Sequence, residues 1–245
     1  MNPSNYYLSI ILPAHDEETR LPAALLQVSD YVTAHNFASE IIIVENASSD
    51  STLAIAEEFA ARTPGCRVIR EVNPGKGYAV RTGMLAAEGS YRFVCDVDLS
   101  MSVDQIDSFL PPLQDGYDIA IGSREAAGAV RLNEPIYRHL VGRVFNTMVR
   151  WLTLPQLQDT QCGFKCFTAE AAQALFPLQK MNGWTFDVEI LAVALRKGCR
   201  VIEVPIRWQY FPGSKVHVMR DSLHMALDLL TIRRRLRRGE YDPKA

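Results

Sequence analysis

The feature that most constrains this chain is a recurring phrase: a short apolar run that stops at a polar or charged residue. Leu8-Ser9-Ile10-Ile11-Leu12 closes at Pro13 and runs into His15, Asp16, Glu17 and Glu18. Ile41-Ile42-Ile43-Val44 ends in Glu45-Asn46, Tyr91 to Cys95 ends in Asp96-Val97-Asp98, and Asp118-Ile119-Ala120-Ile121-Gly122 ends in Ser123-Arg124. Apolar runs this short, without a polar residue at every second place, read as strands buried on both faces. Helical spacing lies between them. Leu21, Leu25, Val28 and Val32 recur at i, i+4, i+7 and i+11, behind Thr19 as an N-cap and with Pro22 in the first turn. Ser48-Ser49-Asp50 is expected to cap a second helix, and Asn73-Pro74-Gly75-Lys76-Gly77 to open a third.

Strands alternating with helices imply an α/β fold with a mostly parallel sheet and right-handed crossovers. In such sheets ligands bind outside the carboxyl ends of the strands. His15, Glu17, Glu45, Asn46, Asp96, Asp98 and Arg124 all follow predicted strands, so they are expected on one rim. The second half is less regular. A helix is expected within Arg131 to Leu152, a polar turn at Asp159 to Lys165, and a helix opened by Trp184 to Glu189. Val201 to Trp208 reads as an edge strand interrupted by Pro205. A last helix is expected from Asp221 to Arg237, with Leu223, Leu227 and Leu230 on one face.

Composition narrows the class. The 245 residues fit one α/β domain, and 48% hydrophobic against 22% charged residues suffices for a full core. A net charge of −2 excludes a general nucleic-acid binder. The charge is uneven, because five of the six residues from Arg233 to Arg238 are arginine. The five cysteines are scattered and odd in number, which points to reduced thiols in a cytosolic setting, and Cys162 and Cys166 lack a second pair at zinc-ligand spacing. No apolar run is long enough for a transmembrane helix, and Met1 to Tyr7 lacks a signal-peptide core.

The Asp96-Val97-Asp98 stretch is either an aspartate pair in a turn or a cation site. Two carboxylates at i and i+2, where a strand gives way to a loop, can reach one cation. Oxygen ligands suit Mg²⁺ or Mn²⁺, which commonly take one or two carboxylates and then the substrate's phosphates.

On these stretches the chain resembles the family 2 glycosyltransferases of the GT-A fold, and more narrowly the polyprenyl-phosphate glycosyltransferases. The residues that carry the resemblance are Ile11 to Glu18, Ile42 to Asp50, Asn73 to Gly77, Asp96 to Ser100 and Gly122 to Arg124. In the second half they are Asp159 to Lys165, Phe186 to Glu189, Glu203 to Ile206 and Pro212 to Lys215, which look more like the glucosyl branch than the mannosyl one. Two places depart from the family pattern. Glu45-Asn46 stands where the family usually has paired aspartates, and His15 where it commonly has tyrosine.

The resemblance implies a Rossmann-like three-layer sandwich. One GT-A domain would span 1–218, with a nucleotide-binding half 1–124 and an acceptor-binding half 125–218. A basic amphipathic helix and tail, 219–245, would follow. Pro13, His15, Glu17, Val44, Glu45, Asn46, Lys76, Asp96, Val97, Asp98 and Arg124 are expected around the nucleotide-sugar, with Asp98 on the metal. Ser100 either assists that coordination or caps the following loop. Arg131, Arg138, Lys165 and Lys215 are expected at the acceptor phosphate, Asp96, Asp98, Arg124 and Lys215 carrying the catalysis. Lys215 would close over the diphosphate. Asp187 is either a fallback base or a structural acid.

The expected reaction moves a hexose, glucose from UDP-glucose, onto a polyprenyl (dolichyl or undecaprenyl) phosphate with inversion. Mg²⁺ or Mn²⁺ would assist. The expected place is the cytoplasmic face of a membrane, held peripherally by the basic C-terminal helix. Other readings share the motifs. One uses GDP-mannose or a UDP-N-acetylhexosamine as donor. Another takes a sugar hydroxyl as acceptor, and the last is a nucleotide-sugar-binding protein without catalysis.

Overall fold

The structure, a computed structural model, describes residues 6–98, 100–211 and 218–242. The first half follows the predicted alternation: β1 (Leu8–Ala14), α1 (Leu21–Ala34), β2 (Ser39–Asn46), α2 (Thr52–Arg62), β3 (Cys66–Glu71), α3 (Lys76–Ala86), β4 (Tyr91–Val94) and, after a 3-10 turn at Val103–Phe109, β5 (Ile119–Ser123). The second half adds β6 (Val130–Leu132), α4 (Ile136–Leu152), β7 (Lys165–Thr168), α5 (Ala169–Leu175), α6 (Phe186–Arg196), β8 (Val201–Pro205), β9 (Arg207–Gln209) and α7 (Val218–Arg237).

Seven strands form one sheet in the order β3-β2-β1-β4-β7-β5-β8. All neighbours are parallel except β7, which runs antiparallel to both β4 and β5. Successive side chains on a strand point to opposite faces, and the two cores divide that way. Ile11, Ile42, Val44, Val94, Ile119 and Ile121 pack on the face covered by α3 to α7. Ile10, Leu12, Ile41, Ile43, Phe93 and Ala120 pack on the face covered by α1, α2 and the 3-10 turn. This is the three-layer α/β sandwich expected. α3 lies close on β1, since a Cβ on Gly83 would collide with the Ile11 side chain.

One expectation changes and two become more definite. The helix expected within Arg131 to Leu152 is there, from Ile136 to Leu152, and Arg131 precedes it on β6. The strand expected from Val201 to Trp208 is two strands. β8 is an edge of the main sheet, and β9 pairs with β6 in a separate two-stranded sheet. Pro205 has no N–H to continue a ladder, and the chain changes partner there. The C-terminal helix docks on the domain by one face, while Leu227 and Leu230 of the predicted apolar face stay exposed. Leu229 and Ile232 of α7 are fully buried, and Tyr241 beyond it is buried with its hydroxyl donating to Glu189 at 2.6 Å.

Candidate active site

The sheet order places a switch point between β1 and β4: β2 and β3 build out from one side of β1, and β4 lies on the other. The carboxyl ends of β1 and β4 therefore splay around a crevice, the usual ligand position in such sheets. A cavity of about 750 Å³ occupies it. Pro13, His15, Glu17, Asn46, Lys76, Asp96, Val97, Asp98, Ser100, Arg124 and Arg131 line that cavity, so the rim inferred from topology is one site.

Asp96 and Asp98 stand just beyond β4. Lys76 lies 2.8 Å from one Asp96 oxygen and donates to the other at 3.0 Å. Its ammonium also sits 5.6 Å from the Trp184 ring centroid. Burial alone would favour a neutral lysine, but Asp96, Asp187 and Asp98 outweigh it and hold Lys76 charged. Asp98 accepts the Ser100 N–H at 2.9 Å. Burial, and next the Asp96 charge, raise the Asp98 carboxyl above its ordinary value. Such a pair attracts a cation. Among the described residues no three His, Cys, Asp or Glu side chains gather as a closed metal cage. The donor set suits an ion that takes one or two carboxylates and completes its shell with phosphate and water.

Two glycines set Lys76 in place. Gly75 has φ +141°, and a Cβ there would lie 2.5 Å from the Asn182 carbonyl oxygen. A Cβ on Gly77 would lie 2.8 Å from Asn182 Cα. The loop thus packs backbone to backbone against 181–182, tied by the Gly77 N–H to the Asn182 carbonyl at 2.9 Å and by Gln179 donating to the Gly77 carbonyl at 2.8 Å. On the other side Gly163 backs directly onto the Asp96 carboxylate, where any side chain would collide.

The departure at Glu45-Asn46 has a structural cause. The Asn46 amide donates to the Glu71 and Asn73 carbonyls at 3.1 and 2.6 Å, and its oxygen accepts the Gly75 N–H at 2.8 Å. A carboxylate could not donate those two bonds. Asn46 clips the lysine loop to the end of β2. Glu45 turns away from the cavity, accepting the Ser48 N–H at 2.6 Å, and Val44 is buried in the core. Neither lines the cavity. His15 does, with Nδ1 2.6 Å from the Asn46 carbonyl. Glu17 lines it too, holding Arg20 through two contacts at 2.6 and 2.7 Å.

The second half of the sequence lines the same cavity with arginines and with carboxylates that hold two of them. Arg124 is clasped by Asp159, with Nε and Nη2 donating at 2.6 and 2.9 Å, and lies 5.6 Å from the Trp208 ring centroid. Burial works against ionised Asp159, but the Arg124 guanidinium prevails and holds its carboxyl at about 2. Arg131 is engaged by Glu125 and Glu134. Lys165 does not reach the cavity: it is buried, donates to the Cys162 carbonyl and pairs with Asp187 at 2.9 Å. Burial raises the Asp187 carboxyl despite Lys165 and Lys76. Arg138 lies on α4 with its side chain outside the described residues, and Lys215 falls outside them altogether. Arg143, also on α4, was not singled out by any motif. It lines the cavity, and its guanidinium has no carboxylate partner among the described residues. Only its place one turn from cavity-lining His139 and Asn146 distinguishes it in the sequence.

Known proteins resemble this chain. The profile described as Glycosyl transferase family 2 matches residues 9–176. A dolichyl-phosphate beta-glucosyltransferase of Dictyostelium discoideum is 31% identical over 259 residues, covering 100% of this chain and 79% of that protein. The Saccharomyces cerevisiae dolichyl-phosphate beta-glucosyltransferase is 33% identical, covering 96% and 76%, and the Homo sapiens one 31%, covering 96% and 77%. Among solved structures, glucosyl-3-phosphoglycerate synthase from Mycobacterium tuberculosis in complex with UDP superposes with a TM-score of 0.65 at 18% identity, over 98% of this chain and 82% of that one. The same enzyme with Mn²⁺, UDP-glucose and glycerol 3-phosphate gives 0.65 at 17%, over 93% and 80%. That likeness is one of fold, and the sequence relatives carry the assignment: this chain is a glycosyltransferase and belongs to family 2.

Proposed function

We propose that this enzyme transfers glucose from UDP-glucose to a polyprenyl phosphate, giving a β-linked glycosyl phosphate by inversion, at the cytoplasmic face of a membrane. The observation that carries the reading is a single cavity lined both by the Asp96/Asp98 pair and by Arg124, Arg131 and Arg143. A cation-bound nucleoside diphosphate suits the aspartates and an anionic acceptor the arginines. The names of the sequence relatives support the lipid acceptor and the glucosyl product.

In this reading Pro13, His15 and Glu17 hold the base and ribose, with Asn46 fixing the loop beneath them. Asp98 would hold the cation, and Asp96 is oriented by Lys76 and Gly163. Mg²⁺ or Mn²⁺ bound there would neutralise charge on the diphosphate leaving group. Lys76 adds a fixed positive charge beside that position. Arg124 faces the sugar–phosphate linkage, held in orientation by Asp159. Arg143 and Arg131 receive the acceptor phosphate, Arg143 without first surrendering another partner. Lys215 keeps the role its Pro-Gly-Ser-Lys motif implies, closing over the diphosphate. A phosphate acceptor is already anionic near neutral pH and needs no general base. Asp187, committed to Lys165, is accordingly assigned a structural role.

The test is a transfer assay with purified protein, Mg²⁺ or Mn²⁺, a polyprenyl phosphate and a panel of radiolabelled nucleotide-sugars. UDP-glucose is expected to give glycosyl-lipid, and Asp98→Asn to lower kcat by about a hundredfold or more. Transfer from GDP-mannose or a UDP-N-acetylhexosamine but not from UDP-glucose would overturn the donor. Transfer only to a sugar hydroxyl would overturn the acceptor.

A further inference from the structure

α4 has its apolar residues on the wrong side for a soluble protein. Ile136, Leu140, Val144 and Trp151 step by four, four and seven residues, which puts them on one helical face. They are 87%, 63%, 65% and 87% exposed, with Tyr137 beside them at 64%. The opposite face is the one that packs, with Phe145 and Val149 buried in the core. A contiguous outward stripe of this kind marks an interaction surface.

Its chemistry selects a lipid surface. Residues 136–152 contain three arginines and a histidine and no carboxylate, in a chain whose net charge is −2. The patch therefore complements an anionic partner while offering it aliphatic and aromatic side chains. Tyr137 and Trp151 lie near the two ends of the helix, the residue types that favour a membrane–water boundary. Arg143 and Arg150 are placed along one flank of the stripe by helical spacing, where long side chains can keep their charge in the headgroups. The same helix supplies Gly142, Arg143, Phe145 and Asn146 to the cavity wall. We infer that α4 lies in the headgroup layer of an anionic bilayer, with Ile136, Leu140, Val144 and Trp151 immersed, and that it brings the cavity to the surface where a lipid phosphate arrives. The docking element is thus α4, in place of the arginine-rich end of α7. The inference rests on the function above only in taking the acceptor to be a lipid.

Flotation with phosphatidylcholine–phosphatidylserine vesicles, free of any prenyl lipid, tests it. The parent protein should float with the vesicles. The triple variant Leu140→Ser, Val144→Ser, Trp151→Ser should partition about tenfold less or weaker still, melt at the parent's temperature, and keep the parent's turnover on a short-chain, water-soluble prenyl phosphate. Unchanged flotation of the variant overturns the proposal. So does equal loss of turnover on the soluble acceptor, or release of the protein by Arg234→Glu, Arg237→Glu and Arg238→Glu when the α4 variant stays bound. Light scattering that finds the parent a dimer and the α4 variant a monomer would assign the face to a second copy of the chain. A parent that floats but transfers no sugar from any donor refutes the proposed reaction and leaves the docking surface standing.

Discussion

At the scale of single residues, the site depends on side chains whose exact chemistry is used up by neighbours. Asn46 spends both amide hydrogens on the Glu71 and Asn73 carbonyls. Asn46→Asp would set a carboxylate against two carbonyl oxygens, at a cost of about 1–3 kcal/mol, and would loosen the loop that carries Lys76. A raised KM for the nucleotide-sugar, with the overall fold retained by circular dichroism, is the expected outcome. Gly163 is a second such place. Gly163→Ala would push the Asp96 carboxylate off its position, and a shift of about 1 Å in a catalytic group costs up to a hundredfold. Steady-state kinetics should show that loss mainly in kcat. The sequence signalled Asp96, Asp98 and Lys76 through their place after strands and beside glycines. It misled on Lys165. A lysine in a polar turn looks like a phosphate ligand, and only the fold reveals that Asp187, 22 positions along, neutralises it 2.9 Å away.

Elements show a related asymmetry. The parallel strands were legible because burial on both faces leaves uninterrupted apolar runs. β6 was not, since a three-residue strand carries no period, and β9 was legible only as the continuation of β8. The Asp159–Arg124 clasp joins the end of β5 to the loop before β7, and its pH dependence can be stated. The folded Asp159 carboxyl sits at about 2 against an ordinary 3.8, so the pair stabilises the fold by about 2 kcal/mol once the pH is above the ordinary value. That contribution should vanish as the pH falls from about 4 to about 2. Urea unfolding of the parent and of Asp159→Asn should differ at pH 7 and converge at pH 2. α7 behaves as a clamp. Tyr241 closes on Glu189, whose other oxygen accepts the Lys180 and Met181 N–H groups at 2.8 and 2.7 Å. Those residues adjoin the Asn182 backbone against which the lysine loop rests. Tyr241→Phe should cost about 1–3 kcal/mol in unfolding free energy through the donor it removes.

For the molecule as a whole, the proposed reaction would use a divalent ion at a site the protein only half encloses. Treatment with EDTA should abolish transfer, and Mn²⁺ or Mg²⁺ should restore it with the melting curve hardly altered, because Asp96 already has Lys76 as its partner and the exposed end of the site is not what holds the fold together. The feature with the widest consequence is β7. It enters the sheet between β4 and β5 from the second half of the sequence, and Val94 and Ile121 both take Lys165 as their register partner. As the chain leaves the ribosome, β4 therefore has one open edge and β5 has nowhere to dock until residue 168 has been made. The first 124 residues are not a module that can be borrowed, fused or expressed alone. A gene cut there should yield aggregate, and two fragments divided at that point should give soluble enzyme only when produced together.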